Sequence, residues 1–277
     1  MLRDADIALH QAKARGKDYP YVLFDSAMYD RMVMTMQLER DLRHALERQE
    51  FQVFFQPIVN LATGRVKGFE ALARWRHPER GLVSPADFIP LAEETMLILP
   101  LGRQVLAESC RRLAAWTRSC PGRMPITVSV NLSSKQLLDA DLVVAIGRLL
   151  TETGCDPALL ELEITESVLI DNSDAARALL NSLRDLRIRL SLDDFGTGYS
   201  SLSYLHQFPF DTIKIDRTFI QPMEHNASRL EIVRAIVALA RALGKTVVAE
   251  GLETREQVER LTELGCDFGQ GYYFARP

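Results

Sequence analysis

The chain has 277 residues, with Lys+Arg 33 against Asp+Glu 37 and a formal net charge of −4. That balance argues against a general binder of nucleic-acid backbones, so no nucleic acid polymer is expected as a partner, and an anionic substrate must be held by local cations or metal ions. Hydrophobic residues at 47% and charged residues at 25% are the proportions of a globular domain and exclude disordered and fibrous classes.

Taken in chain order, residues 4–15 read as a helix stopped at Gly16 after a basic last turn. A short apolar strand at 21–24 follows. Residues 26–49 read as a polar helix on which Met28, Met32, Met36, Leu38, Leu42 and Leu46 form an apolar stripe. From Phe51 onward, β-prone runs alternate with helical stretches, the pattern of an α/β fold with a mainly parallel sheet. Eight strands are expected, at 52–59, 66–73, 126–132, 159–165, 188–193, 211–216, 245–250 and 270–274, with helices at 85–94, 101–118, 136–153, 174–186, 200–206, 228–243 and 255–264. Eight strands suggest closure. About six residues around Ala62-Thr63-Gly64 separate the first two, too few for a crossover helix, so this pair should be a hairpin. The expected fold class is therefore α/β: a TIM-like (βα)8 barrel whose first strand runs antiparallel.

No apolar run approaches the roughly 20 residues of a membrane span, and the charged start is unlike a signal-peptide core. No membrane segment is expected in this chain and the expected compartment is cytoplasmic; a full-length protein could still be anchored elsewhere. Cys110, Cys120, Cys155 and Cys266 show no C-x-x-C spacing and read as reduced packing thiols. The five histidines sit at non-ligand spacings, and Trp75 and Trp116 read as packing groups.

The strand ends carry the chemistry. In chain order they present Glu70, Asn131, Glu163, Asp193 and Asp194, Lys214 and Asp216, Glu250 and Gln270. In a parallel barrel such ends converge on one face. Clustered carboxylates repel one another unless cations neutralise them, and an all-oxygen donor set without His or Cys suits Mg²⁺ or Mn²⁺ better than Zn²⁺. An adjacent Asp pair can bridge two ions about 3.5–4 Å apart, as in phosphoester displacement. Lys214 would then orient or help deprotonate the attacking water, or meet the charge of the transition state. Read without any resemblance, the same groups also suit an enolase-like barrel in which a Lys base and Mg²⁺ remove a proton beside a carboxylate.

These residues closely resemble the EAL family of cyclic di-GMP phosphodiesterases. The motifs appear in order from about residue 51 to 277: FFQPIV (54–59), EALARW (70–75), SPADFIPLAEE (84–94), SVNLS (129–133), ELEITES (161–167), LDDFGTGYSSL (192–202), IKIDRTFI (213–220), VVAEGLE (247–253) and GQGYYFARP (269–277). The resemblance implies metal ligands at Glu70, Asn131, Glu163, Asp193, Asp194 and Glu250, an active-site lysine at Lys214, and a catalytic group of Glu70, Lys214, Glu250 and Asp194. It implies dinucleotide contacts at Gln56, Leu72, Arg74 and Asp216, a further substrate-side position at Gln270, and loop-stabilising acids at Glu166 and Glu253. The implied activity is that of a cyclic-guanylate-specific phosphodiesterase of bacterial second-messenger signalling, opening cyclic di-GMP to linear 5′-pGpG. The resemblance also implies two Mg²⁺ or Mn²⁺ ions as cofactors, inhibition by Ca²⁺ and a homodimer. The alternative within the family is an inactive cyclic di-GMP-binding sensor. Residues 1–30 resemble the C-terminal tail of a GGDEF diguanylate cyclase domain. The implied organisation is a GGDEF remnant (1–30), a connecting helix (31–50) and an EAL barrel (51–277), cut from a longer protein with upstream GGDEF or sensor domains.

Overall fold

Leu160, Leu162 and Ile164 alternate with Glu161 and Glu163, and Leu190 and Leu192 alternate with Ser191 and Asp193. Successive side chains of a strand point to opposite faces, so each strand offers an apolar row to the surrounding helices and a polar row to the interior. The architecture, a computed structural model, follows from that alternation. It describes residues 24–119, 125–166, 173–196, 207–224 and 226–277. The expected helices at 4–15 and 200–206, nearly all of the strand at 21–24, most of the stretch resembling a GGDEF tail, and Cys120 lie outside the described residues.

The chain divides into two compact units: one of residues 1–51 and 75–97, the other of 52–74 and 98–277. In the smaller unit, helix α1 (Ser26–Glu47) and helix α2 (Pro85–Glu94) accompany a hairpin formed by the end of β2 (Val66–His77) and β3 (Gly81–Val83). Trp75 is fully buried, its ring 5.6 Å from Phe51 and 6.0 Å from Phe88, and its indole N–H donates to Glu50. Met28, Leu42 and Ala45 of α1 are buried, whereas Met36 is exposed because it is rotated off that face.

The larger unit holds the barrel. Its strands are β1 (Phe51–Asn60), β2, β4 (Thr127–Leu132), β5 (Leu160–Thr165), β6 (Arg189–Phe195), β7 (Thr212–Ile215), β8 (Thr246–Ala249) and β9 (Phe268–Gly269). In the order β2, β4, β5, β6, β7, β8, β9 each strand pairs in parallel with the next, β1 pairs antiparallel with β9, and a β1–β2 pairing closes the ring. At the β1–β2 turn Asn60 Oδ1 accepts from Thr63 N at 2.9 Å, and Gly64 takes the left-handed φ of 67° that the tight return needs. The barrel with an antiparallel first strand stands as expected.

Helices α3 (Ile98–Ser119), α4 (Ser134–Leu137), α5 (Leu142–Thr153), α6 (Ser173–Asp185), α7 (Arg217–Ile220), α8 (Ala227–Ala242) and α9 (Arg255–Leu264) complete this unit. Two expectations need correction. The single helix at 136–153 is broken, since Asp139 accepts from Asp141 N and binds Arg103 at 2.8 Å, fixing a turn between α4 and α5. The strand expected at 270–274 is a series of turns. Gly271 lies so close to Leu252 that an added Cβ would sit 2.1 Å from the Leu252 carbonyl oxygen, and Tyr273 N donates to that carbonyl at 2.9 Å. The aromatic run 272–274 therefore packs around the loop after β8 rather than extending the sheet.

Trp116 packs on Phe55 and Phe69, and Cys110, Cys155 and Cys266 are buried free thiols. Among the described residues no helix is long and apolar enough to cross a membrane.

Candidate active site

Lys214 Nζ is the hub of the barrel mouth. It lies 2.6 Å from Glu250 Oε1, 2.8 Å from Glu163 Oε2, 3.5 Å from Asp193 Oδ1 and 3.6 Å from Glu70 Oε2. Its side chain is 1% exposed, so the ammonium exists only because four strands deliver acids to it. Burial alone would lower its pKa, yet Asp193, Glu163, Glu250 and Glu70 together hold it well above the ordinary lysine value.

The carboxylates divide by their surroundings. Burial pushes Glu70 up, but Lys214 and hydrogen bonds from Gln270 (2.5 Å) and Asn131 (2.7 Å) outweigh it and hold the group below its usual range. Burial, with added repulsion from Glu70 and Asp193, carries Glu163 well above the carboxylate range. Burial likewise drives Glu250 up to about 8 despite Lys214. Asp194 is raised by burial and by Asp193 beside it.

Strand β6 breaks its own alternation to build this mouth. Its pairing with β7 shifts register between Leu192 and Phe195, and Asp194 adopts φ 54°. Adjacent residues thereby reach the same place: single ligand oxygens of Asp193, Asp194 and Glu250 lie within 4.8 Å of one another. The oxygen donors fit hard divalent cations. A second sign of fit is Glu163 Oε1, a buried oxygen without a hydrogen-bond partner, which a cation would satisfy.

Above this cluster opens a cleft of about 230 Å³. Gln56, Glu70, Leu72, Asp193, Glu250, Glu253 and Gln270 line it. Lys214 lies beneath them. Gln270 Nε2 also donates to Gln56 Oε1 at 2.9 Å, and Gln56 Nε2 donates to the Ala275 carbonyl. The carboxylate of Asp216 caps α7 by accepting from Thr218 N at 2.9 Å. Arg74 donates to the Ala73 carbonyl at 2.9 Å and lies over the Phe54 ring, outside the residues lining the cleft. Glu166 Oε2 accepts from Gly196 N at 3.2 Å, bracing the turn after the Asp pair. Glu253 Oε1 accepts from Gln221 Nε2 at 3.3 Å.

Sequence reasoning missed Arg217, Gln221 and Tyr272, which share the cleft wall. Arg217 follows Asp216 directly, so the end of β7 had pointed to its neighbourhood. The contribution of Tyr272 depends on the turns after β9, which no local pattern announced.

Comparison with known proteins decides the family: residues 39–277 match the profile of the EAL domain. The chain belongs to the EAL domain family. The bifunctional diguanylate cyclase/cyclic di-GMP phosphodiesterase MucR of Pseudomonas aeruginosa is 42% identical across the whole chain, which spans 40% of that protein. The cyclic di-GMP phosphodiesterase PdeR of Escherichia coli K12 is 39% identical, again across the whole chain and 41% of the relative. This EAL domain thus spans about two fifths of the length of these relatives. Among solved structures, the PaMucR phosphodiesterase in complex with c-di-GMP superposes with a TM-score of 0.84 at 44% identity, over 87% of this chain and 97% of that one. The FimX EAL domain of Pseudomonas aeruginosa bound to c-di-GMP gives 0.77 at 26% identity, over 85% and 94%.

Proposed function

We propose that this EAL domain hydrolyses cyclic di-GMP to linear 5′-pGpG in a reaction that depends on divalent cations. The observation that carries the reading is the buried Lys214 ammonium ringed by Glu70, Glu163, Asp193 and Glu250 beneath an open cleft. Relatives at about 40% identity named as cyclic di-GMP phosphodiesterases support it.

Glu70, Asn131, Glu163, Asp193, Asp194 and Glu250 would hold two Mg²⁺ or Mn²⁺ ions, and Ca²⁺, larger and looser in geometry, would inhibit. When bound, the ions supply Lewis acidity and a more acidic water at neutral pH. The protein's own groups do the rest. Lys214 keeps the acids converged and sets a fixed positive charge below the phosphoryl oxygens as negative charge grows on them. Gln270 and Asn131 hold Glu70 ionised and oriented. Gln56, Leu72, Arg74 and Asp216 would position the dinucleotide. Water adds in line at phosphorus as the bond to the 3′ oxygen breaks, leaving a 5′-phosphate.

The wider organisation belongs to the same proposal. Residues 1–30 would be the end of a GGDEF domain and 31–50 a connecting helix, within a longer cytoplasmic or membrane-anchored signalling protein that dimerises. The bifunctional name and greater length of MucR support that arrangement. The test is nucleotide chromatography after incubation with cyclic di-GMP and Mg²⁺, Mn²⁺ or Ca²⁺. Appearance of pGpG with the first two is expected. Binding without turnover in either would favour the sensor reading instead.

A further inference from the structure

We infer that Arg217 is a specificity-determining contact for the second phosphodiester of a dianionic cyclic dinucleotide, the one not being cleaved. This rests on the reading of the domain as a cyclic di-GMP phosphodiesterase.

The cleft presents four carboxylates, Glu70, Asp193, Glu250 and Glu253, and Arg217 is the one cationic side chain among the residues lining it. A substrate with two phosphodiesters brings two negative charges to that wall. One would lie over the acid cluster and its cations; the other needs a cation elsewhere. Arg217 is exposed, and among the described residues its guanidinium makes no ion pair or side-chain hydrogen bond. Glu253, an acid of the same cleft, accepts from Gln221 instead. An arginine bordered by acids yet bound to none keeps its planar fork of donors available for a phosphate.

Its stem is fixed from two sides. Asp216 caps α7 immediately before it. In the loop after β8, Gly251 at φ 70° comes so close that an added Cβ would lie 2.5 Å from the Arg217 Cβ. The missing side chain at 251 is what lets this loop and Arg217 share one edge of the cleft. Arg74 is engaged differently, with its guanidinium on the Ala73 carbonyl and the Phe54 ring, so the two arginines address separate places.

The test compares wild type, Arg217→Ala, Arg217→Lys and Gly251→Ala on cyclic di-GMP and on bis(p-nitrophenyl) phosphate, which has a single phosphodiester. Arg217→Ala should raise KM for cyclic di-GMP about ten-fold with kcat within about two-fold, the pattern of a lost binding contact outside the reacting bond. The single-diester probe should lose far less. Arg217→Lys should recover part of the loss, and Gly251→Ala, which displaces the stem while keeping the charge, should raise KM in the same direction. Calorimetric titration with cyclic di-GMP in the absence of divalent ions scores the contact independently of turnover, with about ten-fold weaker binding expected for Arg217→Ala. Equal affinity in that titration, or an equal loss on both substrates, overturns the assignment of Arg217. Absence of turnover by wild type, with binding still weakened by Arg217→Ala, overturns the phosphodiesterase reading alone.

Discussion

Asp193 accepts the backbone N–H of its own neighbour Asp194 at 2.9 Å, and Asp194 stands in left-handed backbone at φ 54°. That local closure lets two consecutive carboxylates serve one mouth. The conformation costs a residue bearing a Cβ about 1–2 kcal/mol, and glycine far less. Asp194→Gly should therefore resist urea by about 1 kcal/mol more than Asp194→Ala, while both lose Mn²⁺ affinity in calorimetric titration. Equal unfolding midpoints would show that the bulge relaxes once the acid is gone.

Among the described residues Lys214 is the one cation paired with Glu70, Glu163, Asp193 and Glu250. Removing one member of a buried charge cluster strands the others, at a cost of about 3–5 kcal/mol. Lys214→Met should lower the urea midpoint of metal-free protein by that order and abolish hydrolysis, and Mn²⁺ should restore part of the stability but not the activity. A variant as stable as wild type without metal would mean that the acids hold one another by sharing protons.

The barrel was legible in the alternation of Leu160, Leu162 and Ile164 with Glu161 and Glu163, and in the short link after Asn60, because both signals are local. The acids were legible because each falls in the C-terminal half of a strand expected from the sequence, although the structure carries β2, β5 and β6 past Glu70, Glu163 and Asp193 and ends β8 just before Glu250. What local pattern did not carry was the fate of each side chain on arrival. The cap on α7 ties down Asp216, Arg74 folds back onto the Ala73 carbonyl, and the aromatic run 272–274 turns because Gly271 meets the Leu252 backbone. Only the last of these depends on a neighbour supplied by the fold, as the position of Arg217 beside Gly251 also does; the Asp216 cap and the Arg74 bond are local contacts, but the pattern of residues leaves open which partner each side chain takes.

Glu250, raised to about 8, and Glu163, raised well above its ordinary value, bind protons in the folded protein at pH values where the unfolded chain has released them. Stability then falls as pH rises from the unfolded value of about 4.5 through the folded one. Glu70, shifted the other way, adds stability that is present above its unfolded pKa and lost only at acid pH. For metal-free protein the expected melting temperature therefore declines between pH 6 and 8.5. If divalent ions bind these acids as proposed, they would replace those protons, and Mg²⁺ or Mn²⁺ should raise the melting temperature more at pH 8 than at pH 6. A melting temperature that climbs across this range without metal would contradict the assignment.

Glu70 is tied to Lys214, Asn131 and Gln270 at once, whereas the Arg74 guanidinium donates to the Ala73 carbonyl and lies over the Phe54 ring. The two should fail differently. Glu70→Ala should abolish hydrolysis at any substrate concentration. Arg74→Ala should chiefly raise KM for cyclic di-GMP, by about ten-fold for a lost charge-assisted phosphate contact. Steady-state kinetics separate the cases, and equal turnover by wild type and Glu70→Ala would remove Glu70 from the site.

Glu166 acts at one remove. Its carboxylate accepts the N–H of Gly196, two residues beyond Asp194, and Gly196 itself has φ 95° with the Phe219 ring 3.0 Å from where a Cβ would stand. The turn is pinned between an acid and an aromatic edge, and the Asp pair is held at its base. Loss of an outer partner of this kind commonly costs about 10–100-fold in metal affinity. Glu166→Ala should therefore raise the Mn²⁺ concentration needed for half-maximal rate by about ten-fold or more, with kcat recovering at saturating Mn²⁺. Glu166→Gln, whose amide oxygen still accepts from Gly196, should recover most of the affinity. A variant whose kcat stays depressed at saturating Mn²⁺ would place Glu166 in the chemistry itself rather than behind the ligands.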